Sequence, residues 1–415
     1  VKKNIQRKRT TIFLVLALMY ILVYFYRVSL AVVAGDISRE LGLTPQQLGA
    51  LSGILFYVYA VAQLPLGPMI DRLGSRLVIS GSGVLTAAGA ILFSQSHSLA
   101  MAMAARILIG IGTASVLMAT FTVFSHWYSK QEFGRVSGFM VAIGNMGNLA
   151  ATAPLALAVS LVGWRNSFLV TGALQIVAFL LVFIVVLDYP PLQAETSSHT
   201  GDTRKKEGIM AAWLGIFSNR DFLLLGVISF FWYGNYLALQ GLWGGPYLME
   251  VKHLNRTTTG QMLMFTSIGF IIGSTVIDKI ARTVFHSYKK TLLAGQLILA
   301  LCGVLFLGPA DMLGVPLLAI SFFVIGLAVS SGVMIYPIIR SMFPVEIVGT
   351  ALTSLNFFVL MGAAVTQQIM GIIISRYPSS GNHISSQAFH AAFLFPVAGL
   401  LLTMVLFLSA KDYGQ

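Results

Sequence analysis

The sequence predicts an all-α membrane protein of twelve transmembrane helices in two pseudo-symmetric six-helix bundles. Three observations carry this. Charged residues make up only 10% of 415 residues, whereas a soluble domain carries about 25%, so lipid must be the solvent for most of the surface. Apolar stretches of spanning length, about 20 residues, recur twelve times. An acid-and-two-cations motif after the second stretch returns in degenerate form after the eighth.

The first six stretches run near 11–34, 46–68, 77–96, 99–125, 135–160 and 164–187, and the second six near 222–248, 258–277, 289–309, 313–340, 349–375 and 387–410. The first follows Lys2, Lys3, Arg7, Lys8 and Arg9 and could mimic a signal peptide. It is too long for such a segment, contains Arg27, and is followed by many more, so it reads as a retained first helix. Residues 188–220, rich in Pro, Ser, Thr and charge, form the one long polar segment. The division expected is an N-terminal bundle 1–187, a cytoplasmic linker 188–220 and a C-terminal bundle 221–415.

The net charge of +12 suggests nucleic acid until its distribution is read. With the N-terminus in the cytoplasm, the tails and even-numbered loops hold nineteen Lys or Arg, the odd-numbered loops five and the spans two. This bias places both termini in the cytoplasm of a multi-pass protein of the bacterial inner membrane. The positive charge is a topology signal, and no basic patch interleaved with exposed aromatics accompanies it. Cys302 stands alone and the seven histidines form no ligand set, so neither a disulfide framework nor a metal centre is expected. No Walker-type loop is present, and no enzyme activity or cofactor is expected.

The repeat is legible in two places. Gly67-Pro-Met-Ile-Asp71-Arg72-Leu-Gly74-Ser-Arg76 follows the second stretch, and Gly273-Ser-Thr-Val-Ile-Asp278-Lys279-Ile-Ala-Arg282 follows the eighth. Gly112 precedes Glu132 by twenty residues, and Gly326 precedes Glu346 by twenty. Parallel repeats of this kind suit alternating-access carriers. The Gly67–Arg76 segment resembles the loop 2–3 signature of the major facilitator superfamily, and Arg106-Ile-Leu-Ile-Gly110 resembles that family's fourth-helix motif. The resemblance spans essentially the whole chain. It implies that Gly67, Asp71, Arg72, Gly74, Arg76, Asp278 and Arg282 serve gating, as a cytoplasmic latch between the halves. Gly138, Gly144, Gly147 and Pro154 of the fifth helix match the glycine-proline motif of that family's exporters only in part. The glycine pairs Gly49/Gly53 and Gly269/Gly273 are expected to let helices approach closely.

Two charges lie inside spans: Arg27 on the first helix and Arg106 on the fourth. Each costs on the order of 3 kcal/mol at mid-bilayer, so each should face the protein interior. Tyr20, Tyr24 and Arg27 share one helical stripe, as do Arg106, Gly110, Thr113 and Thr120. No Asp or Glu lies within a span. Guanidinium groups bind carboxylate or phosphate in bidentate geometry, so the pattern points to a small organic anion, a carboxylate first, contacting Arg27 and Arg106. The alternative for Arg106 is a bond to backbone carbonyls or a part in gating. The pair resembles the organic-anion branch of the superfamily, the anion:cation symporters. That branch has an acid just before the first arginine and another seven residues after the second. This chain has Tyr26 and Thr113 there, so no intramembrane carrier for a coupling proton or cation is evident.

In the seventh helix Trp232, Tyr236, Gln240 and Trp243 share a face, and Gly244, Gly245 and Pro246 bend its outer end. Tyr24, Tyr57, Asn235, Tyr236, Gln240 and Asn356 are the expected site-shaping groups, with helix–helix hydrogen bonds the alternative for Tyr57 and Asn356. The expected protein is a monomeric secondary carrier in contact with lipid and a small-molecule substrate. The rival readings are an exporter of hydrophobic or drug-like compounds and a non-transporting sensor of the same fold.

Overall fold

A computed structural model describes residues 2–190, 209–378 and 384–413. Most of the expected linker lies outside the described residues, as do the surroundings of Gly67 and the side chain of Asp71.

The first span comprises α1 (Lys2–Val28) and α2 (Leu30–Leu41); α3 (Pro45–Leu73) is the second and α4 (Ser75–Ser94) the third. The fourth comprises α5 (Leu99–Ala114) and α6 (Val116–Trp127). The fifth begins with α7 (Lys130–Ala150) and continues into α8 (Ala153–Val185), which breaks at Gly163 and carries the sixth. A short α9 (Ile209–Ser218) precedes α10 (Arg220–Ala238), a π-helical turn Leu239–Trp243 and α11 (Gly244–Glu250), which form the seventh. The eighth is α12 (Arg256–Ile280) and the ninth α13 (Tyr288–Leu305). The tenth comprises α14 (Val315–Val329), a 3-10 turn Ser330–Met334 and α15 (Ile335–Met342). The eleventh is α16 (Val345–Ile374) and the twelfth α17 (Ser386–Leu408). Ten runs of the described residues have the length and apolar character of a span. One of them, Val136–Val185, is the broken pair of the fifth and sixth spans, and α3 completes the set.

The ends of these helices follow from local chemistry. Ser98, Asn219, Asn255, Ser287 and Ser385 each accept a first-turn N–H with the side chain, satisfying a donor that would otherwise lack a partner. Thr44 and Gln47 exchange two hydrogen bonds at the start of α3, of 2.9 and 3.2 Å, as a capping box does. The sequence has Pro45 in the first helical position, where its missing N–H costs nothing.

The repeat runs deeper than two halves. The first, fourth, seventh and tenth spans are all interrupted, at Ser29, Ser115, Leu239–Trp243 and Ser330–Met334. Each is the opening helix of a three-helix step. Three of the four breaks fall on serine; the Ser330 hydroxyl donates back to the Leu327 carbonyl and the Ser115 hydroxyl to the Ser82 hydroxyl.

By contact the chain forms two compact units. One gathers Val1–Arg27, Val58–Ala150 and Leu161–Lys206; the other gathers Val28–Tyr57, Ala151–Ser160 and Glu207–Gln415. This division differs from the division by repeat, because the first, second and fifth spans each change unit part-way along, at Arg27/Val28, Tyr57/Val58 and Ala150/Ala151.

Within the first unit a Cβ on Gly147 would lie 2.0 Å from the carbonyl oxygen of Ile21, and one on Gly112 would lie 2.5 Å from that of Ser82. Backbone therefore meets backbone between α7 and α1 and between α5 and α4. Within the second unit the same holds for Gly245 against Ala31, Gly49 against Gln367 and Gly269 against Phe323. The first of these brings the start of α2 onto α11, the second the loop 1–2 end of α3 onto α16, and the third joins α12 to α14. Close approach of this kind drives helix association where lipid offers no hydrophobic gain. Leu161, Ile184 and Val405 meanwhile point outward, more than 60% exposed. That pattern suits a lipid-facing surface and no aqueous one.

Candidate substrate site

The first unit holds the polar group that sequence reasoning centred on Arg27. Arg27 is 8% exposed, which leaves its guanidinium largely desolvated yet reachable. Its Cζ lies 4.6 Å from the ring centre of Tyr24 and 4.8 Å from that of Tyr59. Two rings thus flank one cation, at about 0.5–2 kcal/mol each. Tyr59 of α3 hydrogen-bonds both Arg27 and Gln63. The Tyr20 hydroxyl donates to that of Tyr24 over 3.3 Å, with the rings edge to face at 5.0 Å.

The neighbouring α7 makes room for this cluster. A Cβ on Gly144 would sit 2.5 Å from the Tyr20 ring and 3.2 Å from that of Tyr24. Glycine here lets α7 rest directly on the tyrosine stripe of α1. Asn145 and Asn148, both buried, bond to each other beside it, Asn148 Nδ2 donating to Asn145 Oδ1 over 3.2 Å.

Arg106 makes a backbone bond of the kind weighed as its alternative. Its side chain is wholly buried, and Nη1 donates to the carbonyl oxygen of Tyr26 over 3.1 Å. The structure gives this guanidinium to the closed packing of α5 against α1, where a main-chain acceptor one residue before Arg27 receives it.

The expected groups of the second unit are largely engaged in helix–helix bonds. The Tyr57 hydroxyl donates to Gln368 Oε1 over 2.8 Å. Asn235 Nδ2 donates to the carbonyls of Phe231 and Pro396, at 2.8 and 2.7 Å, tying α10 to α17. Gln240, fully buried in the π-helical turn, donates to Ser267 Oγ over 3.1 Å. Tyr236 is buried and stacks on Phe270 at 5.9 Å. Asn356 is half-buried on α16. Trp232 and Trp243 send their indole N–H groups to the carbonyls of Val329 and Gln367.

Sequence reasoning missed Tyr59 and Gln63, and named Tyr20 only as part of a stripe. The available signal was phase: Tyr59 and Gln63 stand four apart, one helical face, while Tyr57 points about 160° away at 100° per residue. Tyr57 reaches Gln368 instead, and the boundary between the two units falls directly after it.

The loop 2–3 motif is anchored inside its own unit. Gly74 has φ +81° and ψ 154°, and a Cβ there would meet Asp188 at 2.5 Å. Asp188 Oδ1 accepts the backbone N–H of Arg76 at 2.9 Å, and Arg76 Nε donates to the Phe183 carbonyl at 2.8 Å. His126 lies 3.1 Å from the Asp188 carbonyl and stacks on Tyr189 at 4.3 Å. Arg72 is exposed. In the other unit Asp278 and Arg282 pair with each other over 2.7 Å, both exposed. The contacts of Arg76 and of the Asp278–Arg282 pair thus lie within single units, and those expected of Gly67 and Asp71 fall outside the described side chains.

A family model described as Major Facilitator Superfamily matches residues 16–330. The chain belongs to the major facilitator superfamily. It is therefore a multi-pass membrane protein of a transporter family, and its chemistry is binding and conformational change rather than bond-making. Among its superfamily relatives is a protein named as a probable L-galactonate transporter of Escherichia coli (strain K12), 30% identical over 310 residues, which cover 71% of this chain and 67% of that one. A probable sulfoacetate transporter of Cupriavidus necator is 28% identical, covering 72% and 69%. A probable galactarate/D-glucarate transporter of Escherichia coli (strain K12) is 24% identical, covering 98% and 95%. Solved superfamily structures share the fold. They include a bacterial homologue of the human lysosomal transporter Spinster, inward-facing and unoccupied (TM-score 0.77, 15% identity, 97% of each chain), and a D-xylose–proton symporter (TM-score 0.76, 14% identity, 97% and 98%).

Proposed function

We propose that this protein is a secondary carrier of small organic anions, carboxylates above all. In this reading it works by alternating access in a bacterial inner membrane, with both termini cytoplasmic. Residues 1–187 rock against 221–415, joined by the linker 188–220. The observation that carries the reading is Arg27: a guanidinium inside a span, flanked by Tyr24 and Tyr59, 8% exposed. A desolvated cation of this kind favours an anionic partner, and a carboxylate can meet it through two N–H donors at once. The relatives named as galactonate, sulfoacetate and galactarate/D-glucarate transporters support the same class.

Arg27 anchors the charge, with Tyr24, Tyr59 and Gln63 shaping its surroundings. Asn235, Tyr236, Gln240, Tyr57 and Asn356 shape or gate the path from the other unit, and Arg106 fixes the first span. Gly67, Asp71, Arg72, Gly74, Arg76, Asp278 and Arg282 form the cytoplasmic gating region. Transport runs inward as symport by a monomer, the coupling cation being bound elsewhere than at Tyr26 and Thr113.

The test is uptake of a radiolabelled carboxylate into proteoliposomes with and without Arg27→Gln. Affinity should fall about a hundredfold, the scale of leaving one partner of a buried charge pair alone. Undiminished uptake of the same acid by Arg27→Gln overturns the reading.

A further inference from the structure

We infer that the Arg27 site selects polyhydroxylated acids bearing a single carboxylate and discriminates against diacids of the same length. The inference rests on the organic-anion reading above and makes it more specific.

Charge sets the number of carboxylates. Of the twenty-six Lys and Arg in the sequence, Arg27 and Arg106 are the two that fall within the apolar stretches away from their ends. Arg106 is 0% exposed and donates to the carbonyl of Tyr26. A substrate at mid-membrane therefore meets one reachable guanidinium. One carboxylate satisfies it through two of its N–H donors. A second carboxylate would leave water with no cation waiting for it, and an unmatched charge in a dry site weakens binding steeply.

The surroundings of the cation set the rest of the molecule. Tyr24 and Tyr59 cover Arg27 with rings, and two hydrogen-bonded groups stand around it, the Tyr20–Tyr24 hydroxyl pair and Tyr59 with Gln63. Phenol hydroxyls both donate and accept, as sugar hydroxyls do. An aliphatic acid chain offers these groups neither donor nor acceptor. A polyol chain behind the carboxylate carries hydroxyls that can both give and take hydrogen bonds there, offsetting what they lose on leaving bulk solvent.

Six-carbon ligands separate these demands. Calorimetric binding to the full chain in nanodiscs is measured for D-gluconate and D-galactonate (one carboxylate), D-glucarate and galactarate (two), sorbitol (none) and hexanoate (one, without hydroxyls). At least one aldonate should bind, its diacid about tenfold or more weaker, with sorbitol and hexanoate weaker than the aldonate. Tyr59→Phe should narrow the gap between aldonate and hexanoate while leaving the preference for one charge over two. A diacid that binds as tightly as its aldonate overturns the inference and leaves the carboxylate reading standing. Hexanoate equal to the aldonates overturns it likewise. If none of the acids binds, both fall together. Because the ligand series uses the unmodified protein, misfolding of a variant cannot mask the outcome.

Discussion

Arg106 gives a guanidinium N–H to the carbonyl oxygen of Tyr26, 3.1 Å away and one residue before Arg27. The two intramembrane arginines thus differ in kind: one lies between two tyrosine rings at the proposed substrate site, the other donates to the backbone of the helix that carries the first. Arg106→Met should leave a buried carbonyl short of a partner and lower stability by about 1–3 kcal/mol. Arg27→Gln also gives up the ring contacts with Tyr24 and Tyr59 and should melt lower as well. Its folded fraction should bind the anion about a hundredfold more weakly, whereas folded Arg106→Met should still bind it. Thermal unfolding of both variants in detergent, set beside binding to the folded fraction, reads the contrast. Arg106→Met that melts like the parent and loses binding outright would make Arg106 a ligand group.

Much of this architecture was legible from the chain alone. Twelve spans follow from apolar run length, because the bilayer imposes one length on every helix. Tyr20, Tyr24 and Arg27 were legible as a stripe, since their spacing matches the helical period and the structure joins them. Tyr59 was not, because it competes with Tyr57 two residues away and only the packing of α3 decides which faces Arg27. The fate of Arg106 was legible only as one of two options: a guanidinium in a span seeks either a ligand or a carbonyl, and the choice depends on where the neighbouring backbone stands. The breaks in the first and fourth spans have only serine as a local sign, at Ser29 and Ser115.

Gly74 sits in a backbone region that L-residues avoid, against the carboxylate of Asp188. Gly74→Ala therefore meets two penalties, strain and collision. Backbone strain alone costs about 1–3 kcal/mol. Adding Asp188→Ala removes the collision but also the acceptor of the Arg76 N–H. The double variant should recover little of the lost stability, and transport should fall with it. Chemical or thermal melting of the single and double variants decides this. Full recovery in the double variant would mean that the collision, and not the strained loop, was the whole cost.

Ser129 and Glu132 form a reciprocal cap at the start of α7: Ser129 N–H donates to Glu132 Oε2 at 2.9 Å, and Glu132 N–H donates to Ser129 Oγ at 3.3 Å. Those bonds to Ser129, helped by Arg9, hold the Glu132 carboxyl below its ordinary 4.5. A carboxyl lowered by folding stabilises the fold above its unfolded value. The contribution is whole above pH 4.5 and is lost as the pH falls through the lower folded value. Glu132→Gln keeps a capping side chain without the titration. Melting temperatures measured from pH 7 down to pH 3 should fall less steeply for Glu132→Gln than for the parent. Parallel curves would detach this cap from the acid sensitivity.

On the loop 1–2 side, Asp36 at the end of the first span is clasped by two cations. Arg256, which begins α12, places Nη2 2.5 Å from Asp36 Oδ1, and Arg39 on the same helix as Asp36 reaches it at 3.0 Å. The pair joins the first and eighth spans, one from each repeat, beside the close contacts of Gly245 with Ala31 and Gly49 with Gln367. Parting these helices, as a carrier must to expose its site on that side, requires the Asp36–Arg256 pair to break. Partly exposed pairs of this kind are worth about 1 kcal/mol or less, so the pair is strong enough to bias a conformational equilibrium and weak enough to release in each cycle. Asp36→Asn should raise the reactivity of a cysteine placed at Ala31 toward a membrane-impermeant thiol reagent about fivefold, as the closed population falls. Arg256→Asp should do the same, and combining it with Asp36→Arg should restore protection, because the exchanged charges rebuild the contact while Arg39 opposes it only weakly from its own exposed turn. Additive rather than compensating effects in that double variant would show that Asp36 and Arg256 act on the helices independently.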